Sequence, residues 1–317
     1  MKIIIIGGSG FIGGAITKYL INLKYEVIVF NRGNFANPNG SLQITGEKEN
    51  LDLFLPQLNK IKPDAFIHTI AYTEDDALQI LNTLGRVSKR ILLLSSGDVY
   101  KAYTSFKDGL EEQDIILNES SALRTNYFPY RNESKNISDE IQKRLFFNYD
   151  KLVVENILKQ SNLDYTIFRL GAVYGADDPQ KKLQKYITDV KEGKDQILSN
   201  DQLIWKWTRI FVENIPFAIH LALHNKMSIK QIYNVGEAKA YSQLEIYELI
   251  NQTRKIDQLK KPEKRRENPL DESKFNYKQH LILDSSKIRN ELGYSELIDP
   301  QFALEETIKD SLTHQNI

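Results

Sequence analysis

Apolar and polar positions fall into alternating blocks along the first half of the chain. An unbroken apolar run, Ile3–Ile6, gives way to a glycine-rich turn and then to helical spacing over Phe11–Leu23. The alternation continues, with strands predicted at Glu26–Phe30, Ser41–Thr45, Ala65–Ile70, Arg90–Leu94 and Tyr165–Phe168. Helices are predicted near Asn50–Leu58 and over Glu74–Val87 and Tyr149–Gln160. Unbroken apolar strands separated by helices imply an α/β architecture with a parallel sheet covered on both faces. Ligands of such sheets bind beyond the carboxyl ends of the strands, so the residues just after each strand carry the functional reading.

The rhythm breaks over 101–146. Residues Lys101–Arg144 are polar and charged, with an aromatic knot at Tyr127-Phe128-Pro129-Tyr130. So long a connection without its own patterning reads as a functional lid or a disordered segment. Beyond Gly175 the pattern is mixed. Helices are predicted around Pro179–Glu192, Glu213–His224, Ser286–Leu292 and Phe302–Leu312, with a strand at Gln231–Val235 and a capping box, Ser242 with Glu245, opening another helix. Trp205 and Trp207 alternate on a segment read as extended and so share one face.

Composition removes several classes of function. The 317 residues carry 42 basic and 42 acidic side chains, so bulk electrostatics do not draw the protein to nucleic acid or anionic membrane. There is no cysteine, which excludes disulfides, thiolate catalysis and cysteine-based zinc sites. No apolar run reaches bilayer length, and the opening IIIIGG is too short for a signal-peptide core. A soluble cytoplasmic protein is expected. His220 and His224 would share a helix face but have no third ligand nearby, so no metal site is expected. The basic run at 260–266 reads as a solvated loop.

The most informative segment is Gly7-Gly8-Ser9-Gly10-Phe11-Ile12-Gly13, between the first strand and the first helix. Glycines at 7, 10 and 13 let the backbone approach a pyrophosphate, and the amides and dipole where the helix opens at Phe11 and Ile12 favour its charge. A bare glycine triplet says little. The strand before it and the amphipathic helix after it supply the context of a dinucleotide-binding turn. The fold expected is a Rossmann-type doubly wound parallel sheet with a smaller C-terminal substrate lobe. The division expected is a dinucleotide-binding domain over 1–172, with 209–236 returning to it, and a lobe built from 173–208 and 237–317.

Further motifs lie in order along the predicted elements: Ser95-Ser96-Gly97-Asp98-Val99-Tyr100, then Arg169-Leu170-Gly171-Ala172-Val173-Tyr174-Gly175, then the tail Asp284–Tyr294. Together with the glycine turn they resemble the extended short-chain dehydrogenase/reductase family, the group containing NAD-dependent nucleotide-sugar epimerases and dehydratases, over almost the whole chain. The combination of SSGDVY, a long insert, NYDKLVVEN, WKWTRIFVEN and IYNVGE is similar to an atypical subgroup that also resembles the chloroplast stem-loop RNA-binding proteins.

The resemblance implies roles for particular residues. NAD-preferring relatives place an acid at the position of Asn31; here it is missing and Arg32 follows, which suits a ribose 2′-phosphate and implies NADP over NAD, unless Arg32 simply faces solvent. Glu47 falls in the adenine-contacting turn, and Ala71 and Tyr72 follow the fourth strand beside the cofactor. Ser96 is the substrate-polarising serine and Lys151 the lysine that holds the nicotinamide ribose. The tyrosine acid/base belongs four residues before Lys151, where this chain has Phe147. Tyr149 would lie about 200° from Lys151 around a helix and reads as packing or loop-anchoring rather than catalytic, unless the helix starts later. Tyr103, Tyr127 and Tyr130 on the insert are other possible donors.

On the substrate side, Arg209 sits where relatives bind a substrate phosphate, and Tyr174 and Trp207 accompany it. The two tryptophans stack on a base or sugar, or join the two lobes. Arg289 contacts a phosphate or closes a salt bridge. The leading expectation is an NADP-binding oxidoreductase of epimerase/dehydratase type that acts on a sugar nucleotide or similar small hydroxyl/carbonyl compound and forms a homodimer. The rival is a catalytically silent nucleotide sensor or RNA- or protein-binding protein.

Overall fold

The four isoleucines that open the chain are all fully buried, because the strand they form has sheet neighbours on both edges and helices over both faces. In the computed structural model, which describes residues 1–191, 199–253 and 275–313, a seven-stranded sheet forms the centre. In sheet order its strands are Gln231–Val235, Asp164–Leu170, Arg90–Ser96, Ala65–His68, Lys2–Ile6, Glu26–Asn31 and Leu42–Thr45. Every pairing is parallel. The chain winds outward from Lys2–Ile6 in one direction, returns to place Ala65–His68 beside it, and winds outward in the other. The sheet is therefore doubly wound, with its switch point between these two strands.

Side chains alternate between two cores, as the period of a strand requires. Ile3 and Ile5 pack with Ile16 and Leu20 of helix Phe11–Asn22, while Ile4 and Ile6 pack with Leu58, Ile80 and Leu158 on the opposite face. The other strands and helices match the predicted ones within a few residues, including Ser286–Leu292 and the Ser242/Glu245 capping box. The predicted helix over Glu74–Val87 is interrupted by a π turn at Ile80–Leu84. No helix among the described residues is long and apolar enough to cross a membrane. The basic run at 260–266 lies outside the described residues.

Two expectations need correction. The insert is not structureless: it carries helix Lys101–Asp108, strand Ile116–Leu117, the 3-10 turn Glu133–Asn136 and helix Glu140–Asn148. Helix Glu140–Asn148 buries no residue, and its Leu145 and Phe146 line the cleft described below. Strand Ile116–Leu117 pairs with the distant Ile282–Leu283. Next, the helix carrying Lys151 spans Lys151–Lys159 rather than starting at Tyr149; the Asp150 side chain caps it by accepting from the amides of Leu152 (3.0 Å) and Val153 (3.2 Å). Trp205 and Trp207 follow helix Asn200–Ile204 on extended backbone, Trp207 in strand Lys206–Trp207, and their ring centroids lie 5.6 Å apart, in keeping with the shared face that the alternation predicts. Trp205 is buried in a ring cluster with Phe106 and Tyr277.

Candidate active site

A cleft of about 620 Å³ opens at the carboxyl ends of the central strands. One wall is the glycine turn. Gly7 has φ +84°, in the left-handed region, and a Cβ there would stand 2.5 Å from Thr69 Oγ1. A Cβ on Gly13 would stand 2.0 Å from the Gly7 carbonyl oxygen. Gly10 differs: a Cβ would meet only the Gly7 oxygen, at 3.9 Å, so packing does not demand glycine there. Gly10 is the N-cap of helix Phe11–Asn22, whose first turn carries no side-chain cap and no acid. Free amides and an uncompensated dipole thus face open space, which fits the pyrophosphate of a dinucleotide.

The cleft brings together Gly7, Gly10, Phe11, Ile12, Gly13, Tyr72, Ser96, Lys151 and Trp207 from the sequence-based set. Asn31, Arg32, Glu47, Ala71, Tyr174 and Arg209 do not line it. Asn31 is part of a polar knot: its amide donates to Ser9 Oγ (2.8 Å) and Asn37 Oδ1 (2.7 Å), and its carbonyl accepts from the Gly33 amide (2.9 Å). Arg32 and Glu47 are exposed and Ala71 is buried. Beside Glu47, Lys48 reaches inward to Asp76 (2.5 Å) and lies 5.6 Å from the Tyr72 ring. Arg289 closes a salt bridge to Glu296 (2.6 Å), and His220 and His224 share the Tyr25 hydroxyl.

At the reactive end, Lys151 is buried with its ammonium on the Leu94 carbonyl (2.7 Å) and 4.5 Å from the centre of the Tyr72 ring. Burial pulls it down to about 8, against the pull of Asp98 and Asp76. Ser96 Oγ accepts from the Asp98 amide (3.2 Å). The Asp98 carboxylate is a cleft residue that sequence reasoning passed over, although it lies inside SSGDVY. Its Oδ2 accepts from the hydroxyls of Tyr149 (2.9 Å) and Tyr130 (3.1 Å), and its buried Oδ1 has no partner among the described residues. Burial pushes Asp98 up; burial and then Asp98 push Tyr149 well above an ordinary phenol. Tyr103 and Tyr130 line the cleft, with hydroxyls 3.3 Å apart; Tyr127 is 54% exposed and does not. Phe147 is 46% exposed on the outer helix Glu140–Asn148, under the Arg131 guanidinium at 4.4 Å, and does not line the cleft.

Tyr174 and Arg209 form a second buried group. Tyr174 donates to Glu237 Oε1 (2.8 Å), and Arg209 donates to the carbonyls of Trp207 (3.2 Å) and Tyr241 (3.4 Å). Burial lifts Glu237 to about 7, although Tyr174 and Arg209 pull it down. A carboxyl raised on folding contributes stability below its unfolded value of about 4.5, and that stability is lost as pH rises to about 7. The wild type should therefore lose stability relative to Glu237→Gln between these values, by on the order of 3 kcal/mol. Urea midpoints of both proteins at several pH values measure it; parallel pH dependence in the two would refute the assignment to Glu237.

The family model described as NAD dependent epimerase/dehydratase family matches residues 3–236. Among solved structures, UDP-glucose 4-epimerase from Thermotoga maritima, with UDP-glucose, superposes with a TM-score of 0.71 at 17% identity, covering 99% of this chain and 100% of that one. The dTDP-glucose 4,6-dehydratase from Bacillus anthracis, in complex with NAD, gives 0.69 at 17% identity, covering 100% and 98%. The enzyme WbmG of Bordetella bronchiseptica, in complex with NAD, gives 0.72 at 14% identity, covering 99% and 94%. At these identities the structures share the fold. No curated protein matches the sequence.

Proposed function

The chain belongs to the NAD dependent epimerase/dehydratase family, and we propose that it is an oxidoreductase of that type, binding NADP in preference to NAD and acting on a sugar nucleotide. The observation that carries this reading is the single cleft that joins the glycine turn to Ser96 and Lys151. Gly7, Gly10 and Gly13 with the amides opening helix Phe11–Asn22 would hold the pyrophosphate, Lys151 and Tyr72 would flank the nicotinamide ribose, and Ser96 would orient a substrate oxygen. When bound, the nicotinamide gives a hydride to, or takes one from, the substrate carbon. The solved relatives with UDP-glucose and with NAD support the two ligand classes.

The preference for NADP rests on the end of strand Glu26–Asn31. Asn31 is neutral and committed to Ser9 and Asn37, and exposed Arg32 is free to swing toward a 2′-phosphate. Titrations with NADPH and NADH, following energy transfer from Trp205 and Trp207, should show NADPH binding at least about tenfold more tightly. Arg32→Ala should bring the two affinities together. Tighter NADH would overturn the preference and leave the family intact. Binding of neither would favour the second reading, a silent binding protein, for which Phe147 at the usual tyrosine position is the specific observation.

A further inference from the structure

We propose that Tyr149 gives the proton in this cleft and that Asp98 and Tyr130 position it. The proposal rests on the oxidoreductase reading above. Tyr149 precedes the helix that carries Lys151, with extended backbone (φ −63°, ψ 122°), so the angular offset of two helical residues does not apply to it. Its position is fixed from three sides: the hydroxyl on Asp98 Oδ2, the ring stacked on Tyr72 with centroids 5.8 Å apart, and an edge contact with Tyr130 at 5.1 Å. Asp150, the next residue, donates its amide to the Tyr72 carbonyl (2.7 Å) and pairs with buried Arg124 of the insert. Tyr149, Asp98, Ser96 and Lys151 all line the one cleft.

The electrostatics differ from those of a tyrosine paired with lysine. The Lys151 ammonium lies on the Tyr72 ring, whereas the Tyr149 hydroxyl touches a carboxylate. Burial and the neighbouring Asp98 both disfavour a phenolate, so Tyr149 is held neutral, as a proton donor must be. Charge balance then assigns Asp98 its part. In reduction of a carbonyl, the Tyr149 O–H bond breaks and a new O–H bond forms on the substrate oxygen, while the hydride of the reduced nicotinamide forms the C–H bond. Where Asp98 carries its proton, the carboxyl returns it to the Tyr149 oxygen, and the negative charge ends on Asp98 rather than on the phenol. Oxidation of an alcohol runs both protons back. Asp98 acts only through Tyr149. The groups facing it are Tyr103, Arg124 and Tyr130 from the insert, with Tyr149 and Lys151.

Two readouts test the proposal on the full chain. In near-ultraviolet titration of tyrosinate, Asp98→Asn should move one ionisation to lower pH, and Tyr149→Phe should remove that step; an Asp98→Asn titration that overlays the wild type overturns the coupling. In turnover assays with UDP-glucose, dTDP-glucose and UDP-N-acetylglucosamine, Tyr149→Phe should lower kcat at least about hundredfold with KM within a few-fold. The reductive kcat of the wild type should fall as pH rises through the Asp98 ionisation, and Asp98→Asn should abolish that limb. Tyr130→Phe, which removes a hydrogen bond favouring the carboxylate, should move the limb to higher pH and is the gentler variant. Tyr149→Phe within threefold of the wild type overturns the donor role alone. A wild type that binds NADPH and turns over none of the three overturns the oxidoreductase reading, and the donor role with it.

Discussion

Replacing Gly13 by alanine should abolish tight cofactor binding. The added methyl would sit 2.0 Å from the Gly7 oxygen, 2.9 Å from the Gly7 carbonyl carbon and 3.0 Å from the Gly8 Cα. All three are backbone atoms, and none can rotate aside. Helix Phe11–Asn22 must back away from the first strand, opening the turn that the Gly10 amide makes on the Gly7 carbonyl at 3.4 Å. The amides proposed to hold the pyrophosphate move with it. Losing two charge-assisted hydrogen bonds, each worth about 1.5–3 kcal/mol, weakens NADPH at least about a hundredfold. Overpacking should also lower stability by about 1–3 kcal/mol. Gly10→Ala separates the two effects. Its methyl meets nothing closer than 3.9 Å, so unfolding should be unchanged while affinity falls. If Gly10→Ala binds NADPH like the wild type, the pyrophosphate does not cross this face.

Arg169→Leu should cost about 3–5 kcal/mol of stability, because it strands a buried carboxylate. Arg169 is 1% exposed and Glu155 fully buried; the guanidinium holds the carboxylate through Nη2 (2.7 Å) and Nε (3.1 Å). Ser95 donates to the same carboxylate (2.6 Å). The other arm of Arg169 reaches the Tyr100 hydroxyl (3.0 Å) and the Glu119 carbonyl (3.2 Å), and Tyr100 donates to Asn234 (2.7 Å). One network thus joins three neighbouring sheet strands, the helix of Lys151 and the insert, and includes Ser95 next to Ser96. With a native stability of about 5–15 kcal/mol, such a loss should be plain in the urea midpoint. The double variant Arg169→Leu/Glu155→Leu should recover more than half of it, since the stranded charge is gone. A single variant that loses less than about 1 kcal/mol would show the network to be dispensable for stability.

The sheet was legible because each strand announces itself locally. A strand buried on both faces must be apolar along its buried stretch, so Ile3–Ile6 and Ile91–Leu94 stand out, and the helices between them carry a stripe of period 3.6. The glycine turn was legible for a similar reason: the positions that forbid a Cβ, Gly7 and Gly13, and the one that packing leaves open, Gly10, are neighbours in the chain. Family membership follows from motifs that keep their order along these elements.

The reactive end was not legible, since it is assembled from segments far apart in sequence. Tyr130 reaches Asp98 across 32 positions, Tyr149 across 51, and Trp205 donates to Gln279 across 74. The pattern of apolar residues carries no record of such contacts, because polar hydrogen bonds have no period. Helical geometry set Tyr149 aside on the assumption that it lies within the helix; the Asp150 cap, which needs the fold around it, starts the helix two residues later. The sequence by itself determined the doubly wound sheet and the glycine turn, and it placed Ser96 and Lys151 on the elements that carry them, all of which depend on residues close in the chain. Only the tertiary structure decided which hydroxyl and which carboxylate face one another in the cleft, because burial brought them together and hydrogen bonding set their order.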